Sequence, residues 1–211
     1  RVKIGTVGHV LDNLDVKIQA DGEITVKGPS VFQGYYKDEE KTKEAFTEDG
    51  YFMTGDIGHI DEEGFLHITD RKKEMFKTSG GKYVAPQVLE NLAKGSKFIE
   101  QIMVVGDGEK MPCALVQPDY AFAKLWAERK HLKIGKTPEE MANSPELKAR
   151  IMKDINLLNA TLGKWEQIKK IELTPTLWTI EDGLLTPTMK LKRKAVKEKF
   201  FNLYEKLYDR A

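Results

Sequence analysis

The chain has 211 residues, 40% of them hydrophobic and 32% charged, and its 34 basic and 33 acidic side chains leave a formal charge of +1. That length suits one large domain or two small ones with a packed core, and the composition argues against a disordered, collagenous or membrane-spanning chain. The balanced charge excludes a polycation built along its whole length for nucleic acid, while the single cysteine, Cys113, excludes an internal disulfide or a multi-cysteine zinc site and makes a reducing cytoplasm the expected compartment.

Arg1 is not a start methionine, and Val2 to Val10 read as the middle of a fold rather than a leader or tag, so the expectation is a piece of a longer protein. Residues 16–20 alternate at period two, Asp21-Gly22 signals a hairpin, and residues 23–27 alternate again before Gly28-Pro29 breaks the strand. A short charged helix is predicted from Asp38, its N-cap, to Phe46. Residues 56–60 and 65–69 make a second hairpin around the turn at 61–64. Residues 1–69 thus read as a small antiparallel β unit.

The charged run Arg71-Lys72-Lys73-Glu74 has no apolar anchor and suits a linker. Beyond it the pattern predicts a strand at 75–78, a tight turn at Ser79-Gly80-Gly81, and a helix from Pro86 to about Gly95. Apolar strands follow at 101–105 and 114–117. Helices follow at 119–130, at Thr137-Pro138-Glu139-Glu140 with capping-box spacing, and from Ser144 with Leu147, Ile151, Ile155, Leu158 and Leu162 on one face until Gly163. A strand is predicted at 168–173, and a last helix from about Leu191 carries Val196, Phe200, Leu203 and Leu207 on one stripe. Residues 71–211 therefore read as a mixed domain, and the fold class of the chain is α+β.

Four short motifs carry chemistry, and each alone has a bland reading. Asp56 of Thr54-Gly55-Asp56 could accept from two vicinal hydroxyls, as on a ribose, or merely cap a turn. Arg71, after Asp70, could bind ribose or phosphate oxygens or sit in a solvated linker. The Ser79-Gly80-Gly81 turn could let backbone N–H groups approach an extended ligand, or only join two strands. In Leu185-Thr186-Pro187-Thr188-Met189-Lys190, a rigid loop presents a lysine that could reach an anionic reaction centre. The basic segment 190–199 could equally be a solvated helix face.

Taken in this order with Gly22-Glu23, Gly34-Tyr35-Tyr36, Asp49-Gly50-Tyr51, Asp70 to Glu74, Pro86, Glu90 and the stretch up to Arg193, these motifs resemble the adenylate-forming enzymes. That superfamily comprises acyl-CoA synthetases, nonribosomal adenylation domains and firefly luciferases, and the resemblance covers nearly the whole chain. The forms Asp-Arg-Lys-Lys-Glu and Leu-Thr-Pro-Thr-Met-Lys-Leu-Lys-Arg look most like the long-chain fatty acid–CoA ligases.

The resemblance implies a parent enzyme that activates a fatty acid with ATP to an acyl-adenylate and passes the acyl group to CoA, with Mg2+ as a cofactor that no residue of this chain is expected to bind. It implies domain alternation, in which a smaller C-terminal domain rotates between the two steps. Residues 1–69 then resemble the last β subdomain of the larger AMP-binding domain, residues 70–73 the hinge, and residues 74–211 the C-terminal domain. Asp56 resembles the aspartate that holds the ribose hydroxyls, and Arg71 an arginine that also contacts the ribose. The pivot falls among Asp70, Lys72 and Lys73 beside Arg71. Ser79, Gly80 and Gly81 resemble the turn that lines the pantetheine path, and Lys190 resembles the catalytic lysine of adenylation. Met189 replaces the commoner glycine before that lysine, so Lys192 stays a second candidate. The phosphate-binding loop and acyl tunnel belong to the larger domain, and the isolated chain is expected to be inactive. The expected partners are fatty acid, ATP and CoA, with no nucleic acid. Peripheral membrane association stays open, and no oligomeric state is read. Two alternatives are an adenylation domain that loads a carrier protein and a non-enzymatic module whose basic segment grips nucleic acid or an anionic membrane.

Overall fold

A computed structural model describes residues 2–210. The chain divides into two compact units, Arg1–Met75 and Phe76–Ala211. Together they are α+β, as the pattern predicts, with an antiparallel sheet in one unit and a mixed sheet in the other.

The first unit is a five-stranded antiparallel sheet with β1 (Gly8–His9), β2 (Asp15–Ile18), β3 (Glu23–Lys27), β4 (Phe52–Ile60) and β5 (Phe65–Arg71) in the order β1-β5-β4-β3-β2. The Asp21-Gly22 hairpin pairs Ile18 with Ile24 and Asp15 with Lys27. Helix α1 (Glu39–Ala45) starts where Asp38 accepts from the Lys41 amide at 3.0 Å. Phe32, Phe46 and Phe52 form an aromatic cluster with centroids 5.1–5.7 Å apart, in which Phe32 and Phe52 meet edge to face and the other two pairs are tilted. Two strands run further than the periodicity indicates. β4 starts at Phe52, so Thr54-Gly55-Asp56 lies inside the strand rather than at its start, and β5 continues through Asp70 to Arg71. Asp70 is buried, so the charged run has an anchor that hydropathy alone does not reveal.

Several carboxylates of this unit are held charged by cations. Lys17, assisted by the Thr47 hydroxyl, lowers the Asp49 carboxyl to about 2. Lys3, His67 and the Phe65 amide hold Asp61 well below the usual carboxylate range. A depressed folded-state pKa adds stability above the unfolded value near 4 and loses it as pH falls through the folded value. The thermal midpoint of this unit is therefore expected to fall as pH drops from about 4 towards 2. Lys17→Met should flatten that slope, as followed by circular dichroism; an equally steep slope in the variant would exclude Lys17 as the cause.

The second unit opens with a hairpin of β6 (Phe76–Lys77) and β7 (Tyr83–Val84), followed by α2 (Pro86–Ala93). Its centre is a three-stranded sheet in the order β10-β9-β8, with β8 (Ile99–Val105) antiparallel to β9 (Cys113–Pro118) and β10 (Ile171–Leu173) parallel to β9. Side chains alternate across a strand, and here both faces are covered. Ile102, Val104, Ala114 and Val116 face α2, α3 (Tyr120–Lys130), α4 (Pro138–Ala142) and α5 (Pro145–Asn159). Met103, Val105, Cys113 and Leu115 face α6 (Arg193–Lys199), α7 (Phe201–Leu207) and the Trp178 segment. That is why these strands read as unbroken apolar runs.

The Thr137–Glu140 capping box is formed, and Ser144 caps α5 through the Leu147 amide. Helix α5 stops at Asn159, earlier than its stripe suggests, because the Asn159 side chain turns to bond the backbone of Ile168 on both sides. The strand predicted at 168–173 is confined to 171–173. The single last helix expected from Leu191 is two helices, broken at Phe200, whose φ of −111° and ψ of 33° leave the helical region while its ring stays in the core.

Candidate functional site

Asp56 and Arg71 are cross-strand neighbours on β4 and β5, and the Arg71 Nε lies 2.7 Å from Asp56 Oδ1. The sheet register thus joins two motifs separated by 15 positions in sequence. The Arg71 side chain is 56% exposed, and an ion pair so open to water contributes at most about 1 kcal/mol to stability. Chemically, the pair sets an acceptor beside a donor. A vicinal diol could give its protons to the carboxylate and accept from the guanidinium.

The approach to Asp56 is shaped by Gly55, whose φ of +72° favours glycine. Its amide donates to Glu23 Oε1 at 2.9 Å, and its carbonyl accepts from the Lys72 amide at 2.8 Å. Lys72 Nζ bridges Asp21 and Glu23, each at 2.7 Å. Glu23 is 4% exposed, and neither its burial nor its partners can be read from the alternating stretch in which it sits. A cleft of about 440 Å³ runs alongside, lined in part by Glu23, Tyr35, Thr54, Gly55, Arg71 and Lys72. Lys73 also lines it, and Asp70 lies one residue before Arg71 on β5, its carboxylate accepting from the Arg71 amide at 2.6 Å.

The Ser79-Gly80-Gly81 turn belongs to the second unit, between β6 and β7. The Thr78 amide donates to the Lys82 carbonyl at 2.9 Å, the Gly81 amide donates to the Thr78 carbonyl at 2.8 Å, and Gly81 has φ +79°. A Cβ added at Gly80 would meet nothing closer than the Thr78 hydroxyl at 4.0 Å. The turn therefore leaves open space at Gly80 and demands a left-handed residue at Gly81 only.

Lys190 sits in a separate loop of the same unit, with its backbone fixed on both sides by Thr186. Its amide donates to the Thr186 hydroxyl at 3.0 Å, and its carbonyl accepts from the Thr186 amide at 2.8 Å. Leu185 and Leu191 form a bridge that closes the loop. Met189 has φ +61°, a conformation that costs a side-chain-bearing residue about 1–2 kcal/mol relative to glycine. The Lys190 side chain is exposed. Lys192 precedes α6 as its N-cap, its amide tied to the Leu184 carbonyl at 2.9 Å.

Behind this loop stands Glu90 of α2. Its carboxylate accepts from both terminal nitrogens of Arg193 at 2.8 Å and from the Val104 amide at 2.8 Å. The motif pattern includes Glu90 and Arg193, but their pairing across 103 positions becomes visible only in the fold. Among the described residues no three His, Cys, Asp or Glu side chains are grouped so as to hold a metal ion. Among the described residues no helix is long and apolar enough to cross a membrane.

A family model described as AMP-binding enzyme C-terminal domain matches residues 74–211. The chain is 43% identical over 209 residues to a long-chain-fatty-acid–CoA ligase of Mycobacterium tuberculosis, covering 99% of this chain and 35% of that protein. It is 43% identical to long-chain-fatty-acid–CoA ligase 6 of Rattus norvegicus, covering 90% of this chain and 27% of that one. The chain thus spans roughly a third of the length of these relatives. Among solved structures, it is similar to the adenylation domain of a carboxylate reductase from Mycobacterium chelonae, with TM-score 0.69, 30% identity, and coverage of 89% of this chain and 28% of that one. An ATP-bound chimera of the Rhodopseudomonas palustris enzyme MatB matches with TM-score 0.64, 28% identity, and coverage of 95% and 37%.

Proposed function

The chain belongs to the AMP-binding enzyme C-terminal domain family, and from that membership we propose that it is the C-terminal part of a long-chain fatty acid–CoA ligase. The parent protein joins a fatty acid to ATP, giving acyl-AMP and pyrophosphate, and CoA thiol then displaces AMP to give the thioester. Asp56 and Arg71 hold the ribose, Lys190 stabilises charge on the carboxylate and α-phosphate, and Ser79, Gly80 and Gly81 line the thiol's path. The chain turns on the strip Asp70 to Lys73 between the two steps. A cation fixed where negative charge develops lowers the barrier, the more so once water is excluded.

The observation that carries the reading is the Lys190 loop. Met189 takes a left-handed conformation at the position where the enzymes it resembles more often have glycine, which supports Lys190 over Lys192 as the matching lysine. A loop that only held the fold together would not require the strain. The carrier-loading alternative shares the first half-reaction. The finer reading rests on relatives whose names specify long-chain-fatty-acid–CoA ligases.

The test supplies fatty acid, ATP and CoA to the full-length protein and to this 211-residue chain. The full-length protein is expected to form acyl-CoA, AMP and pyrophosphate in equal amounts, and the chain alone none. Acyl transfer to a carrier protein with CoA untouched would transfer the assignment to the alternative.

A further inference from the structure

The β6–β7 hairpin has only two residues in each strand, and a two-stranded hairpin of that size has marginal stability of its own. Its shape must come from its neighbours. One neighbour is the β8–β9 connection, residues 106–112. The Ser79 amide donates to the Glu109 carbonyl at 2.8 Å, and the Gly108 amide donates to the Lys77 carbonyl at 2.8 Å. Gly106 packs against Phe76 so closely that a Cβ there would lie 2.8 Å from the ring. The glycine turn is thus pinned at its first residue to the backbone of Glu109.

The side chain of Glu109 points elsewhere, and that direction is informative. It is 9% exposed, and a buried carboxylate needs compensating donors. Tyr204 of α7 donates its hydroxyl to Oε1 at 2.9 Å, and Arg210 donates to Oε2 at 2.6 Å. Burial, then the Glu109 contact, pushes the Tyr204 hydroxyl up to about 12, so it remains a donor at neutral pH. Tyr208 also reaches the connection, donating to the Met111 carbonyl at 3.3 Å. The side chain of Glu109 therefore fixes the connection to the last helix, while its backbone fixes the turn.

We propose that Glu109, clamped by Tyr204 and Arg210, is the positioning residue that holds the Ser79-Gly80-Gly81 turn in the shape required for thioester formation. The inference rests on the proposed role of that turn, but its mechanical half does not. Glu109 touches no reacting atom; it acts through the Ser79 amide. The α7 helix becomes part of the second half-reaction by way of one buried carboxylate.

Two measurements test this. Amide hydrogen exchange on the 211-residue chain reads the mechanical link. In Glu109→Gln and Tyr204→Phe, each close in shape to the native residue, exchange at Ser79 and Gly108 should quicken about tenfold, as expected for losing one hydrogen bond of ordinary strength. The amides of β8 and β9 should keep their native rates. Unchanged exchange at Ser79 in both variants would overturn the proposal. In the full-length protein, Tyr204→Phe should raise the KM for CoA and slow thioester formation from supplied acyl-adenylate, with pyrophosphate release changed less than twofold. Equal slowing of both steps, which a general loss of stability would give, would also overturn it. Gly80→Leu separates the two layers. If it leaves thioester formation intact, the role of the turn falls and this proposal with it. If Gly80→Leu blocks that step while Tyr204→Phe is silent, only the positioning role falls.

Discussion

Lys190→Ala in the full-length protein is expected to slow pyrophosphate release by about 10²–10³, or roughly 3–4 kcal/mol, the usual cost of removing one preorganised contact to developing charge. Thioester formation from supplied acyl-adenylate should change far less, since in the proposed cycle domain rotation carries Lys190 away before the thiol attacks. The size of the effect depends on preorganisation. Thr186 holds the Lys190 backbone through both its hydroxyl and its amide, so the ammonium starts from a fixed base. Gly80→Leu should show the opposite pattern. Gly80 has open space and, unlike Gly81, no left-handed backbone requirement, so the added side chain obstructs the thiol's path without straining the hairpin. Two assays on each variant, pyrophosphate release and CoA-ester formation, decide the matter. Equal slowing of both steps by both variants would remove the assignment of each motif to its own step. A Lys192→Ala phenotype with Lys190→Ala silent would move the lysine by two residues.

What could be read from the sequence was what local chemistry dictates. Asp38, Thr137 and Ser144 cap helices because their side chains bond amides three residues on, a relation contained within one turn. Asp21-Gly22 makes a hairpin for the same local reason. The motif positions Asp56, Arg71, Ser79 and Lys190 were legible as residues, but not as geometry. Only the antiparallel register of β4 and β5 reveals that Asp56 faces Arg71. The acids behind the motifs were not legible. Glu23 bonds Gly55 and Lys72, 32 and 49 positions away, and Glu109 bonds Tyr204 and Arg210 at 95 and 101. In sequence each is one more surface-type charge. The break at Phe200 was hidden for a different reason. An apolar stripe continues across it, and periodicity records which side chains are buried rather than whether the backbone hydrogen bonds run unbroken.

The same distinction sets a large expected effect on stability outside the apolar core. Arg193 stands two residues beyond Leu191, which helps close the Lys190 loop, and its side chain is 25% exposed against 9% for Glu90. Removing one member of a pair this buried leaves a charge that the surroundings cannot hydrate, at a cost of about 3–5 kcal/mol. Arg193→Met is therefore expected to destabilise the second unit by about 3 kcal/mol, the lower end because the guanidinium keeps some contact with water. Arg193→Lys should recover only part of this, because an ammonium cannot match the two-pronged contact to both Glu90 oxygens. Removing both charges together in Glu90→Gln/Arg193→Met should come within about 1 kcal/mol of the native chain, since the amide oxygen can still accept from Val104 and no lone charge remains. The readout is specific. Trp126, Trp165 and Trp178 all lie in Phe76–Ala211, so tryptophan fluorescence during denaturant unfolding follows this unit alone. A loss below about 1 kcal/mol for Arg193→Met would make the pair an ordinary solvent-screened contact. A double variant as unstable as the single one would place the cost in lost packing of the Arg193 stem rather than in its charge. If the expected ordering holds, the ion pair is what ties the segment after Lys190 to α2 and β8.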